Sequence, residues 1–155
     1  MNARFRAEVG GLDVKLKRLL SVPSVKLRSL PPNMPKRGVY LLSQGERHLY
    51  VGRSNRLRQR LQEHGRTSAD HFSATFAFLI ARRKTGRKRA TYTKKGSRAR
   101  LSASPRFKRA FARARQRIAK MDVRWVAEPR QVRQALLEIY AATVLRTTYN
   151  DFDTH

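Results

Sequence analysis

The stretch Gly38-Val39-Tyr40-Leu41-Leu42-Ser43-Gln44-Gly45-Glu46-Arg47-His48-Leu49-Tyr50-Val51-Gly52 sets the fold of this chain. Val39–Leu42 and Leu49–Val51 are β-branched, aromatic and aliphatic residues, the types that pack well on a pleated surface. Between them Gln44-Gly45-Glu46 is polar with a glycine at its centre, the composition of a hairpin turn. The pattern predicts two antiparallel strands closing around Gln44–Arg47. Tyr40 and Tyr50 then face the same side of neighbouring strands.

Downstream, Ser54 or Asn55 can cap a helix running to His64, with Leu57 and Leu61 four apart and Gly65 as its stop. Arg56, Arg60 and His64, also spaced by four, share one face. From Ala69 to Arg83 the residues Phe72, Phe76, Ala77, Leu79 and Ile80 fit a helix, whereas Thr85 to Pro105 has little to bury and reads as a loop. Pro105 suits the first turn of a further helix, whose apolar stripe is Phe107, Ala110, Phe111, Ala114 and Ile118. Val123-Arg124-Trp125-Val126 alternates like a third strand. Behind Pro129, the residues Val132, Ala135, Leu136, Ile139 and Thr143 mark one face of a last helix.

Upstream, residues 1–36 read as a basic arm: a short helix around Val14–Leu20, then an extended segment, because Pro23, Pro31, Pro32 and Pro35 oppose helix. The expected architecture is α/β, a small three-stranded antiparallel sheet flanked by helices. The main domain covers 37–152, with 69–121 as a basic helical insertion and 153–155 as a tail.

The 155 residues hold 36 Lys+Arg against 10 Asp+Glu, a net charge of +26, and no cysteine. A chain of this length buries enough surface to fold without disulfides or a structural metal, and thiolate zinc sites are excluded. Self-repulsion on this scale points to a polyanionic partner, nucleic acid first. Apolar runs such as Ala77–Ala81 fall far short of the roughly 20 residues that cross a bilayer, so no membrane partner is expected. Residues 1–11 lack the apolar stretch of a secretory signal. The expected location is the cytoplasm, on the nucleoid, with a secreted effector as the alternative.

Arg82–Lys120 contains 17 Lys/Arg and no acid, more than solubility requires. Its expected DNA-phosphate contacts are Arg82, Arg83, Lys84, Arg87, Lys88, Arg89, Lys94, Lys95, Arg98, Arg109 and Arg113, with Tyr92 as a base-stacking candidate.

Taken in order, these residues resemble the GIY-YIG nuclease family. Gly38-Val39-Tyr40 is followed by Tyr50-Val51-Gly52, then by Arg60 and His64 on the next helix, Glu138 on a later helix, and Tyr149-Asn150 beyond it. Each piece alone is common; the ordered set, covering Arg37–Gly65 and Val123–Phe152, is not. Members from bacterial nucleotide excision repair also carry a basic residue after the second glycine, here Arg53.

The resemblance implies a DNA endonuclease that uses Mg2+ or Mn2+ and leaves 5′-phosphate and 3′-hydroxyl ends. It implies Tyr50 as the base, Tyr40 as its positioning partner, Arg60 as the phosphate clamp and Glu138 as the sole protein ligand of the metal. Asn150 becomes a support beside the site, and His64 orients Arg60 or relays a proton.

General chemistry is compatible with these roles. A guanidinium fork matches phosphate oxygens, magnesium accepts a single carboxylate while keeping most of its waters, and a tyrosine base needs its pKa lowered from roughly 10, which Arg53, Arg60 and the cation would favour. Taken singly, Tyr40 and Tyr50 read as strand aromatics, Arg60 and His64 as a solvated face, and Glu138 as a salt-bridged acid. Two other functions share the features: a non-catalytic nucleic-acid-binding or RNA-packaging protein, and a nuclease toxin delivered to competitor cells.

Overall fold

The computed structural model describes residues 1–66, 75–86 and 98–152. Phe72, Arg87, Lys88, Arg89, Tyr92, Lys94 and Lys95 therefore lie outside the described residues. Along the chain come α1 (Ala3–Val9), α2 (Leu12–Ser21), β1 (Val25–Lys26), β2 (Gly38–Gln44), β3 (Arg47–Ser54), α3 (Leu57–Gly65) and α4 (Thr75–Lys84). After them follow α5 (Arg98–Ala103), α6 (Pro105–Ala119), β4 (Asp122–Ala127) and α7 (Gln131–Leu145).

The sheet has four antiparallel strands in the order β1-β4-β2-β3, where three were expected. The extra strand is two residues long and pairs Val25 with Val123 and Lys26 with Asp122. A pair of residues among prolines carries no periodicity, so only the partner strand reveals it.

β2 is the central strand and is buried on both faces from Gly38 to Ser43. Strands covered on both sides read as continuous apolar runs. Tyr40 and Leu42 turn toward Leu57 and Leu61 of α3, Phe76 and Ile80 of α4, and Ala114 and Ile118 of α6. Val39 and Leu41 turn the other way, toward Leu16 and Leu19 of α2 and Leu137 and Ala141 of α7. The helices α3, α4 and α6 thus supply one of the two helical layers of the core. Gly38 is a site of close approach, since a Cβ there would collide with the Val126 carbonyl of β4.

α7 buries a different face from the expected stripe. Val132 and Ile139 are 61% and 48% exposed, while Gln134, Leu137 and Ala141 are buried. The shift of two positions turns the helix by about 200°. Its cause is Gln134, whose amide donates to the Glu128 carbonyl at 2.7 Å and to Asn55 Oδ1 at 3.1 Å.

The arm holds two helices rather than one, separated at Gly11, whose φ of 81° is left-handed. It is fastened to α7 by Arg133, which donates to the carbonyls of Ala7, Glu8 and Gly10. Glu128, buried, pairs with Lys15 at 3.5 Å and Arg133 at 3.4 Å.

Candidate active site

The hairpin register pairs Tyr40 with Gly52 and Leu42 with Tyr50. Both phenols therefore lie on one face, with ring centroids 6.3 Å apart. The Tyr40 ring lies against Gly52, where any Cβ would collide with it; a glycine there is a condition for Tyr40 to be buried. Ser54 Oγ accepts from the Arg56 N–H at 2.9 Å and tightens the turn into α3.

On α3, Leu57 and Leu61 are buried, and His64, three residues past Leu61, is buried with them. His64 Nε2 and the Tyr40 hydroxyl are 2.6 Å apart. Arg60 is half-buried between these groups, pairs with Glu63 at 3.4 Å and is hydrogen-bonded to the Tyr40 phenol.

The electrostatics follow from burial. Burial and then the Arg60 charge push His64 down to about 3, so it is neutral. Burial raises Tyr40 well above its ordinary value and Tyr50 adds to this, against the pull of Arg60. Tyr50 is also raised, by burial and then by the Glu138 charge, with Arg60 opposing. Arg60 loses from burial but is held charged by Tyr40, Tyr50 and Glu63, and the net shift is upward.

The expected lowering of Tyr50 by Arg53 and Arg60 is therefore not produced by the protein's own groups. Arg53 points its charge elsewhere: its Nε donates to Glu138 Oε2 at 2.9 Å. Glu138 nevertheless stays raised, because burial outweighs Arg53.

Asn150 clamps β3, the edge strand. Its Oδ1 accepts from the Val51 N–H and its Nδ2 donates to the Val51 carbonyl, both at 2.8 Å. Thr147 Oγ1 donates to the same Oδ1 at 2.7 Å, and the Tyr149 N–H donates to the Leu49 carbonyl at 2.9 Å.

Behind Tyr50 lies an aromatic wall that sequence reasoning missed. Phe76 stacks on Tyr50 at 4.6 Å, Tyr149 meets Phe76 edge-on at 5.4 Å, and the Arg83 guanidinium sits 4.9 Å over Tyr149. These residues come from segments far apart in sequence, so no local spacing signals them.

Among the described residues no three His, Asp or Glu side chains gather into a metal-binding group. A lone carboxylate fits a magnesium-type ion that keeps its waters. Glu138 meets that condition: Arg53 engages only Oε2, and burial makes added positive charge favourable.

The basic residues divide. Arg82 is not available as a phosphate contact: it is 8% exposed and lies 5.9 Å over the Phe78 ring. Arg83, Lys84, Arg109 and Arg113 are exposed, and the last three line one cleft between α4 and α6. Arg98 opens α5. No helix among the described residues is long and apolar enough to cross a membrane. The chain matches no protein-family model, no curated protein and no solved structure.

Proposed function

We propose that the chain is a divalent-metal-dependent DNA endonuclease that hydrolyses phosphodiester bonds to 5′-phosphate and 3′-hydroxyl ends. The observation that carries this reading is the convergence of Arg60, Tyr40, Tyr50 and the Arg53–Glu138 pair on strand β3 and its neighbours. Arg60 presents a permanent charge to non-bridging phosphate oxygens, where negative charge grows in the transition state. Glu138 would hold the divalent cation, which would supply Lewis-acid stabilisation of the same charge when bound. The Tyr50 hydroxyl orients the attacking water. It takes a proton from that water only as phenolate, a form that burial first and the Glu138 charge second oppose and that Arg60 favours. His64, neutral and bonded to Tyr40, fixes that phenol beside Arg60. The net charge of +26 supports a nucleic-acid substrate.

The test is supercoiled plasmid with the purified protein in Mg2+ or Mn2+, with EDTA as control. Wild type is expected to nick or linearise the plasmid, and Arg60→Ala to cut about 10²–10³-fold more slowly while binding as before. Mobility shifts with plasmid, single-stranded and branched DNA all left intact would instead establish the non-catalytic binding protein, the reading that the charge alone supports.

A further inference from the structure

The cleft between α4 and α6 is separate from the tyrosine site and has a volume of about 570 Å³. Its apolar floor is made by Ile80, Ala110 and Ala114. Its rim is cationic: Arg106, Arg109 and Arg113 recur every three or four residues on one side of α6, and Lys84 faces them from α4. Among the described residues none of these four has an acidic partner. Cations held side by side without counter-charge repel one another until an anion arrives. At the far end Arg117 donates to the Tyr149 hydroxyl at 3.3 Å, and Tyr149 belongs to the wall behind Tyr50.

We propose that this cleft is a track for a single nucleic-acid strand, with phosphates on the arginine rim and a base or sugar on the alanine floor. Arg106 to Arg117 spans eleven residue steps, about 16 Å of helix axis, long enough for the rim to meet several successive phosphates. A single strand has unpaired bases to lay on the apolar lining while its phosphates meet the rim, whereas a duplex keeps its bases paired inside and offers the cleft only its backbone. The assignment names the strand form that the proposed nuclease site receives, and in that respect rests on it. Binding itself does not.

The experiment measures binding of a fluorescent oligothymidine in EDTA, where no cleavage occurs, against salt concentration. The triple variant Arg106→Ala, Arg109→Ala, Arg113→Ala removes three exposed side chains. Its expected effect is a fall of about 2 in the slope of log K against log salt and about a hundredfold weaker binding near 0.1 M salt. A charge-matched control, Arg4→Ala, Lys17→Ala, Arg18→Ala, is expected to leave the slope unchanged. Ala110→Trp, which fills the floor at constant charge, is expected to weaken oligothymidine at least tenfold and spare a duplex of equal length.

Equal losses in the two triple variants would overturn the proposal, because binding would then follow net charge alone. So would an Ala110→Trp protein that binds oligothymidine as wild type does, or a duplex that loses as much as the single strand. Plasmid, single-stranded and branched DNA all left uncut in magnesium, with the cleft effects intact, would sink the nuclease reading and leave the track standing.

Discussion

His64 is enclosed by Tyr40, Phe76 and Tyr50, and its Nδ1 has no hydrogen-bond partner. Whichever tautomer forms, one buried nitrogen goes unsatisfied, a penalty of about 1–3 kcal/mol. Its folded-state pKa of about 3 lies below the 6.5 of a free imidazole. As pH falls through that window the unfolded chain takes up the proton first. Stability present above pH 6.5 is therefore lost toward pH 3, by at most about 1.4 kcal/mol per pH unit. Urea unfolding of wild type and His64→Gln at pH 7 and pH 4.5 checks this: wild type is expected to lose more stability on acidification than the variant. Equal losses would place His64 in solvent. The sequence reading grouped His64 with Arg56 and Arg60 on a polar face by its spacing of four. The i, i+4, i+7 row Leu57–Leu61–His64 was equally present, and burial chose it because imidazole can be neutral where guanidinium cannot.

At the scale of elements, the hairpin was legible because its signal is local: two apolar runs, a polar glycine turn and a register that follows from them. The buried face of α7 was not, because it is set by Gln134 reaching Glu128 and Asn55, a contact outside the helix's own periodicity. The same distinction applies to β3. Its pairing with β2 is written in the hairpin, but its outer edge is completed by Asn150, ninety-nine residues beyond Val51. An unpaired edge strand is an open template for other chains, and here the strand that carries Tyr50 and Arg53 is closed by a side chain that mimics a backbone peptide. Asn150→Ala removes both bonds to Val51 and leaves the edge peptide to water. The expected loss is about 1–3 kcal/mol in urea or thermal unfolding. If the clamp also fixes Tyr50, plasmid cleavage by the folded variant falls with it, while oligothymidine binding in EDTA stays at the wild-type level. A variant as stable as wild type would mean that the edge holds without Asn150.

Over the whole molecule, 36 cations face 10 acids, and the acids are drawn into local duties: Glu128 and Glu8 hold the arm, Glu63 holds Arg60, and Glu138 meets Arg53. What remains is a positive shell whose repulsion acts on the folded state more than on the expanded chain. Salt shortens its range, from about 30 Å at 0.01 M to about 10 Å at 0.1 M. The thermal midpoint is thus expected to rise between 0.01 and 0.15 M NaCl, by about 2–4 °C for each kcal/mol of repulsion relieved in a domain of this size. A midpoint that falls instead would mean that the ion pairs around Glu8 and Glu128 contribute more than the shell takes away. A polyanion should act more strongly than salt at equal ionic strength, because it binds the folded surface and stabilises it by mass action. Heparin added at low salt is expected to lift the midpoint of wild type and Arg60→Ala alike, since that gain comes from the surface charge. The gain should be smaller for the Arg106, Arg109, Arg113 triple variant than for its charge-matched control, which would separate the cleft from the shell as the place where the anion sits.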